Sequence, residues 1–127
     1  MTQPMSDPLL EPFDGSPPSR EHVRAAALAT LGDDESLLEM LMPHFCEASV
    51  SQAQSVIASA QAADAPQVRH WAHTLKGTLL TVGATTSSAL AARIELAARE
   101  GRTEGAVEQA TRLAAEVAVL VEYLRPA

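Results

Sequence analysis

The chain of 127 residues holds a single cysteine, Cys46, so it cannot build an internal disulfide framework. Aromatic residues are scarce at 3%, and alanine and leucine supply most of an apolar content of 46%. Long apolar runs are missing as well: no stretch approaches the roughly 20 residues of a membrane helix. The N-terminus lacks the basic-then-apolar pattern of a secretory leader. Cations are few, and a net charge of −7 disfavours nucleic acid, whose phosphates draw on clustered Lys and Arg. The same charge disfavours an anionic membrane surface. There is no Gly-rich phosphate loop, no Walker pattern, no kinase motif set and no serine in a nucleophile elbow, so no familiar route to ATP exists. These absences predict a cytoplasmic chain, monomeric by default, that binds neither nucleic acid nor membrane. The initial Met and the character of the first residues favour a free-standing protein.

What remains reads as helix. Five of the eight prolines fall in residues 1–19, which predicts a flexible arm over 1–18 and a helical body over 19–127. Leu9, Leu10 and Phe13 of the arm offer a short turn that could dock on the body. Val23, Ala27 and Leu31 repeat at helical spacing behind Ser19, a candidate N-cap, and Gly32 ends this short helix. Asp33 and Asp34 open a long second helix, with Leu38, Leu41, Phe45, Ala48, Ala53, Val56, Ile57 and Ala60 facing inward. Pro43 predicts a kink there, or a break into two pieces. Asp64 caps a third helix with Pro66 in its first turn, ending near Gly83. A fourth runs from about Thr85 to Arg99 with Leu90, Ala91, Ile94, Ala97 and Ala98 inward, and Gly101 closes it. Thr103 starts the last, whose stripe is Ala106, Ala110, Leu113, Val117, Leu120, Val121 and Leu124. Short connections force neighbouring helices antiparallel, so the expected fold is all-α: an up-down four-helix bundle with an additional short N-terminal helix. Phe45 and Trp71 are the expected large fillers.

The third helix carries more than a core needs. On a 3.6-residue repeat, Val68, Trp71, Ala72, Leu75, Leu79 and Val82 form one apolar stripe. His73, Lys76, Gly77 and Leu80 follow the same spacing among themselves and form a second strip along its edge. A mid-helix glycine costs about 1 kcal/mol relative to alanine. A side chain at 77 would lean back over the turn that holds His73, so glycine leaves the imidazole uncovered. Two readings stand on spacing alone: a boundary histidine beside a core stripe, or a neutral imidazole that acts as a nucleophile near pH 7. In the second, attack on a phosphoryl group gives a phosphoramidate whose added charge Lys76 balances.

The run Ala72-His73-Thr74-Leu75-Lys76-Gly77, followed by Gly83-Ala84 and then Ala91, Ile94-Glu95, Ala98 and Gly101, resembles the histidine phosphotransfer (HPt) domain family of two-component phosphorelays. Phe13-Asp14 and the Gly32-Asp33, Leu37-Leu38, Leu41, Phe45 series are similar to it too. The resemblance spans Phe13 to Leu124. It implies a four-helix bundle whose exposed histidine shuttles a phosphoryl group between receiver domains of response regulators or hybrid sensor kinases. His73 then matches the phosphoacceptor, Lys76 the supporting cation and Gly77 the small residue that leaves the site open. The donor is a receiver phospho-aspartate and the acceptor another receiver aspartate; Mg²⁺ belongs to the receiver, and this chain needs no cofactor. It is a carrier, not an autonomous enzyme. Thr78-Leu79 stand where the family has small residues, Ser87 where it has leucine, and Ile94 where it has leucine before glutamate; these differences touch packing more than the site.

Docking on a receiver falls to Thr74, Leu80, Glu95 and Arg99. Leu80 extends the His73 strip by a turn, although an apolar residue there is also a natural core residue. Glu95 and Arg99 lie one turn apart on the facing helix and reach toward His73; the plainer alternative is an exposed ion pair worth a few tenths of a kcal/mol. His70 and His73 have metal-ligand spacing, with His44 or Glu47 as further donors, but nothing fixes four convergent ligands and no metal site is assigned. His22 and Cys46 read as boundary residues. A different class of function stays open, a helical module that docks on a kinase or receiver and inhibits it without being phosphorylated.

Overall fold

A computed structural model describes residues 19–125. The arm over 1–18, with Leu9, Leu10, Phe13 and Asp14, lies outside the described residues. Five helices follow one another: α1 Arg20–Thr30, α2 Glu35–Gln61, α3 Ala65–Leu80, α4 Thr85–Arg99 and α5 Ala106–Leu124. Their starts follow from capping chemistry. Ser19, Asp34 and Asp64 each stand before a helix and accept a hydrogen bond from the backbone N–H three residues on, at His22, Leu37 and Gln67. The turns after α1, α2, α3 and α4 close with one bond pattern: Asp33, Asp64, Ala84 and Arg102 each donate a backbone N–H to the carbonyl five residues earlier.

α2 to α5 form the bundle. α2 packs on α3 and α5, and α4 likewise packs on α3 and α5, so α2 and α4 stand on one diagonal and α3 and α5 on the other; α1 lies against α5 and α2. The most extensive contact is between α3 and α4, the pair that builds the site. All seven apolar positions expected on α5 are buried, as are Val68, Ala72, Leu75 and Leu79 on α3. Small residues let the helices approach: Ser49, Ala53, Ser59 and Ala60 are buried on α2. Ser49 and Ser59 satisfy their hydroxyls by donating to carbonyls of their own helix, whereas Gln52 Oε1 on the same helix is buried without a partner. Ser87 is buried and donates to Glu116 of α5 at 2.7 Å, a polar clip in place of an apolar contact.

Several expectations need correction. α2 is one unbroken helix through Pro43. Pro43 and Glu39, whose carbonyl loses its partner, are both exposed, so water can take the place of the missing bond. The inward face of α2 is set one residue over from the expected stripe in places: Met42 and Ser49 are buried, whereas Leu41 and Ala48 are only half-buried. Trp71 is also half-buried, at the rim of the core with its ring edge-on to His70 at 4.8 Å, so Phe45 fills the interior without it. α3 stops at Leu80, not near Gly83, and the buried Val82 belongs to the turn. α5 begins at Ala106, with Gly105 as its N-cap at φ +75°; Thr103 lies in the preceding turn, where its carbonyl accepts from Ala106.

The turn between α3 and α4 is anchored from outside the bundle. Gly83 has φ +68°, and a Cβ there would lie 2.6 Å from Thr30 Oγ1 and 2.8 Å from the Ala26 carbonyl oxygen. The C-terminal part of α1 therefore sits against this turn, and only glycine permits both the left-handed backbone and the close approach.

Candidate functional site

α3 turns its apolar stripe into the bundle, and this leaves the neighbouring strip on the surface beside α4. His73 follows from that placement: its side chain is 66% exposed. Gly77, one turn on, is exposed too, and Lys76 is half-buried. A Cβ built on Gly77 would meet nothing within 4 Å. No packing inside the chain demands a glycine there.

Across the seam stands Glu95 of α4, whose side chain is only 5% exposed. Its carboxylate gathers three donors. Oε2 is 2.9 Å from His73 Nδ1 and 3.1 Å from Arg99 Nη2, while Oε1 is 2.8 Å from Lys76 Nζ. Burial pushes the Glu95 carboxyl upward, but hydrogen bonds from Lys76 and His73, with their positive charge, outweigh it and hold the group below the usual glutamate value. Glu95 is thus ionised at neutral pH, and an ionised carboxylate only accepts hydrogen bonds. Nδ1 must therefore carry a hydrogen, and in the neutral ring the lone pair then falls on Nε2. The outcome is an imidazole fixed in one tautomer on a rigid helix, with its basic nitrogen at an exposed ring.

The residues singled out in the sequence are distributed as follows. His73, Lys76, Glu95 and Arg99 come together around one carboxylate. Leu80 is 47% exposed on the same strip, so it is a surface residue and not part of the core. Thr74 is half-buried and donates its hydroxyl to the His70 carbonyl. The exposed Glu95–Arg99 pair is corrected: the arginine is exposed but the glutamate is interior, where it presents little surface to a partner. Helical spacing held the hint, since Glu95 lies four residues after Ala91 and three before Ala98, both buried. Among the described residues no group of three or more His, Cys, Asp and Glu is placed to hold a metal ion. His22 and His44 are exposed on α1 and α2. Burial pushes the Cys46 thiol up, with Arg125 pulling the other way.

Set beside known families, the chain matches the model of the Hpt domain over residues 22–123. The chain belongs to the Hpt domain family. The match takes in all of α2, α3 and α4 with the His73–Glu95 seam. Neither the comparison with curated proteins nor that with solved structures gives a match. Membership gives this Hpt domain a phosphotransfer role in phosphorelays, as a phosphocarrier module with receiver domains as its class of partner. Among the described residues no helix is long and apolar enough to cross a membrane.

Proposed function

We propose that His73 accepts a phosphoryl group from the phospho-aspartate of a receiver domain and passes it to the aspartate of another. The observation that carries this reading is the bond between His73 Nδ1 and the buried, ionised Glu95, which leaves Nε2 as the nucleophilic atom of an exposed ring. The Nε2 lone pair attacks phosphorus as the bond from phosphorus to the aspartate oxygen breaks, and the carboxylate leaves with that electron pair. The new phosphoimidazole carries positive charge on its ring, which the Glu95 carboxylate offsets through Nδ1–H. Delivery to the second receiver is the same step reversed. Most of such a transfer is positioning and charge stabilisation, and the receiver supplies Mg²⁺ for the phosphoryl oxygens. Lys76, bonded to Glu95 within one turn of His73, adds a cation on this side. Gly77 keeps that approach free of any side chain, and Leu80 and Thr74 supply contact surface. Arg99 holds Glu95 in place through Oε2, the same oxygen that accepts from His73. The protein acts in the cytoplasm as a monomer, hydrolyses no ATP and needs no cofactor of its own.

The test is transfer from an isolated receiver domain charged with acetyl phosphate. Wild-type chain takes up acid-labile, base-stable label, and His73→Gln takes up none while its helical circular dichroism is unchanged. Label persisting in His73→Gln overturns the assignment of His73. Tight binding of receivers with no label in the wild type overturns transfer itself and leaves an inhibitory docking module.

A further inference from the structure

Charge on this chain is unevenly shared. α2 carries Glu35, Glu39 and Glu47 and no Lys or Arg. Around His73 the balance reverses. Arg69, Lys76 and Arg99 stand against Glu95 alone, so with a neutral imidazole the site carries two net positive charges in a chain whose total is −7; the remainder therefore carries −9. Lys76 and Arg99 are both committed to the Glu95 carboxylate. Arg69 is not. It lies one turn before His73 on the same strip, it is exposed, and among the described residues it has no ion-pair partner. At the surface of a protein an unpaired, fully hydrated guanidinium beside a reactive group is a directional mark for an anion.

We infer that the α3 strip from Arg69 to Leu80 is an electrostatically marked docking surface for receivers whose phosphorylatable aspartate is ringed by acidic side chains, with Arg69 as a specificity residue; this rests on the phosphotransfer reading above. The screening length is about 8 Å at physiological ionic strength. A partner seated at His73 therefore senses the local positive charge more strongly than the negative charge distributed over α2 and the far turns. An acidic rim is drawn to this strip and turned away elsewhere, which orients the encounter. A basic rim meets the opposite field. The exposed apolar Leu80 at the end of the strip gives the contact its non-polar part.

The experiment measures association by stopped flow, with Trp71, the only tryptophan, as reporter. The probes are isolated receiver domains of two kinds, with acidic or with basic residues around the phosphorylatable aspartate. Between about 0.1 M and about 0.5 M salt, association with acidic-rim receivers is expected to slow roughly five-fold or more, and with basic-rim receivers to hold or rise. Arg69→Glu should slow acidic-rim association at low salt by about the same factor, Arg69→Gln by less, and neither should change the circular dichroism of the chain. Rates for acidic-rim receivers that ignore both salt and the charge at position 69 overturn the inference. So does self-association of the chain at low salt that Arg69→Glu disperses, because the surface would then serve a second copy through its acidic α2. His73→Gln should keep the wild-type salt dependence of binding. Failure of the phosphoacceptor reading shows in the label, and failure of this one shows in the association rate.

Discussion

Replacing Gly77 separates what this residue does for the fold from what it does for the site. In mid-helix, alanine in place of glycine is worth about 1 kcal/mol, because glycine gives up more backbone freedom on folding. That gain is offset only where the new methyl group collides. At position 77 a Cβ meets nothing within 4 Å, so the full gain should appear. For a domain of this size 1 kcal/mol is a rise of roughly 3–5 °C in Tm. The effect on transfer should have the opposite sign. Side chains on a helix lean toward its N-terminus, so a group at 77 projects over the turn of His73, where the phosphoryl donor must seat. Displacing a reacting pair by about 1 Å can cost 100-fold. We expect Gly77→Ala to slow receiver-to-His73 transfer several-fold and Gly77→Gln by about ten-fold or more, while both melt at or above the wild-type temperature. Thermal denaturation and rapid-quench transfer on the same samples decide the matter. A destabilised Gly77→Ala would mean that the space at this position is not open. Wild-type transfer by Gly77→Gln would mean that the glycine does not serve access.

Glu95→Gln retains an oxygen to accept from His73 Nδ1 but removes the charge that binds Lys76 and Arg99; transfer should fall at least ten-fold, as read by label uptake, with the fold intact. Glu95 also ties stability to pH. Its carboxyl lies below the usual value in the folded chain, so its contribution is fully present above the unfolded glutamate value of about 4.3 and is lost as pH falls through the lower folded one. Urea titrations across acid pH should show this loss in the wild type and not in Glu95→Gln. Glu95→Ala should cost only about 1–2 kcal/mol, less than the usual 3–5 kcal/mol for breaking a buried pair, because Lys76 and Arg99 can regain water. At the α3–α4 turn, Gly83→Ala forces a left-handed alanine against Thr30 and the Ala26 carbonyl; a loss of about 2–4 kcal/mol in urea is expected, and adding Thr30→Ala should restore little, since the carbonyl contact remains.

How much of this could be seen before the structure depends on the segment. α4 runs from Thr85 to Arg99 as spacing indicated, and α5 buries its whole predicted stripe. α5 carries a clear apolar stripe, so only one face can turn inward; α4 keeps its bounds although it buries Ser87, Ser88 and Glu95 and exposes Leu96. α2 does not alternate: Leu37, Leu38, Leu41 and Met42 are apolar on adjacent faces, and the choice of Met42 over Leu41 for the interior is made by the neighbours it meets, not by the local pattern. The C-terminal end of α3 and the start of α5 differ from expectation because left-handed glycines, Gly83 and Gly105, set them, which composition does not reveal. At the site, the His73 strip was legible because it lies within one helix. The carboxylate beside it was legible only in part: spacing puts Glu95 on the facing helix reaching toward His73, but not its burial or its three donors. His73 and Glu95 are 22 residues apart, and their meeting depends on the register between α3 and α4, which local periodicity leaves free.

Gly77 and Glu95 are, in different ways, residues that stability alone would not choose. Alanine at 77 would make a better helix, and no contact inside the chain objects to it. At 95, a charge is taken out of water among apolar neighbours such as Ile94, Ala91 and Ala98. Replacing a buried ion pair by a well-packed apolar residue is often neutral or stabilising, so its retention needs a purpose beyond holding α3 to α4, which those apolar contacts already do. The two departures lie on the same seam, within a turn of one imidazole. One leaves open space above His73, and the other fixes which ring nitrogen faces that space. Neither has an evident use without the other: an open approach to a freely turning ring would not hold Nε2 toward the donor, and an oriented ring under a side chain would not be reached. Local choices that disagree with the rest of a well-made fold mark where function acts, and here they converge on Nε2 of His73.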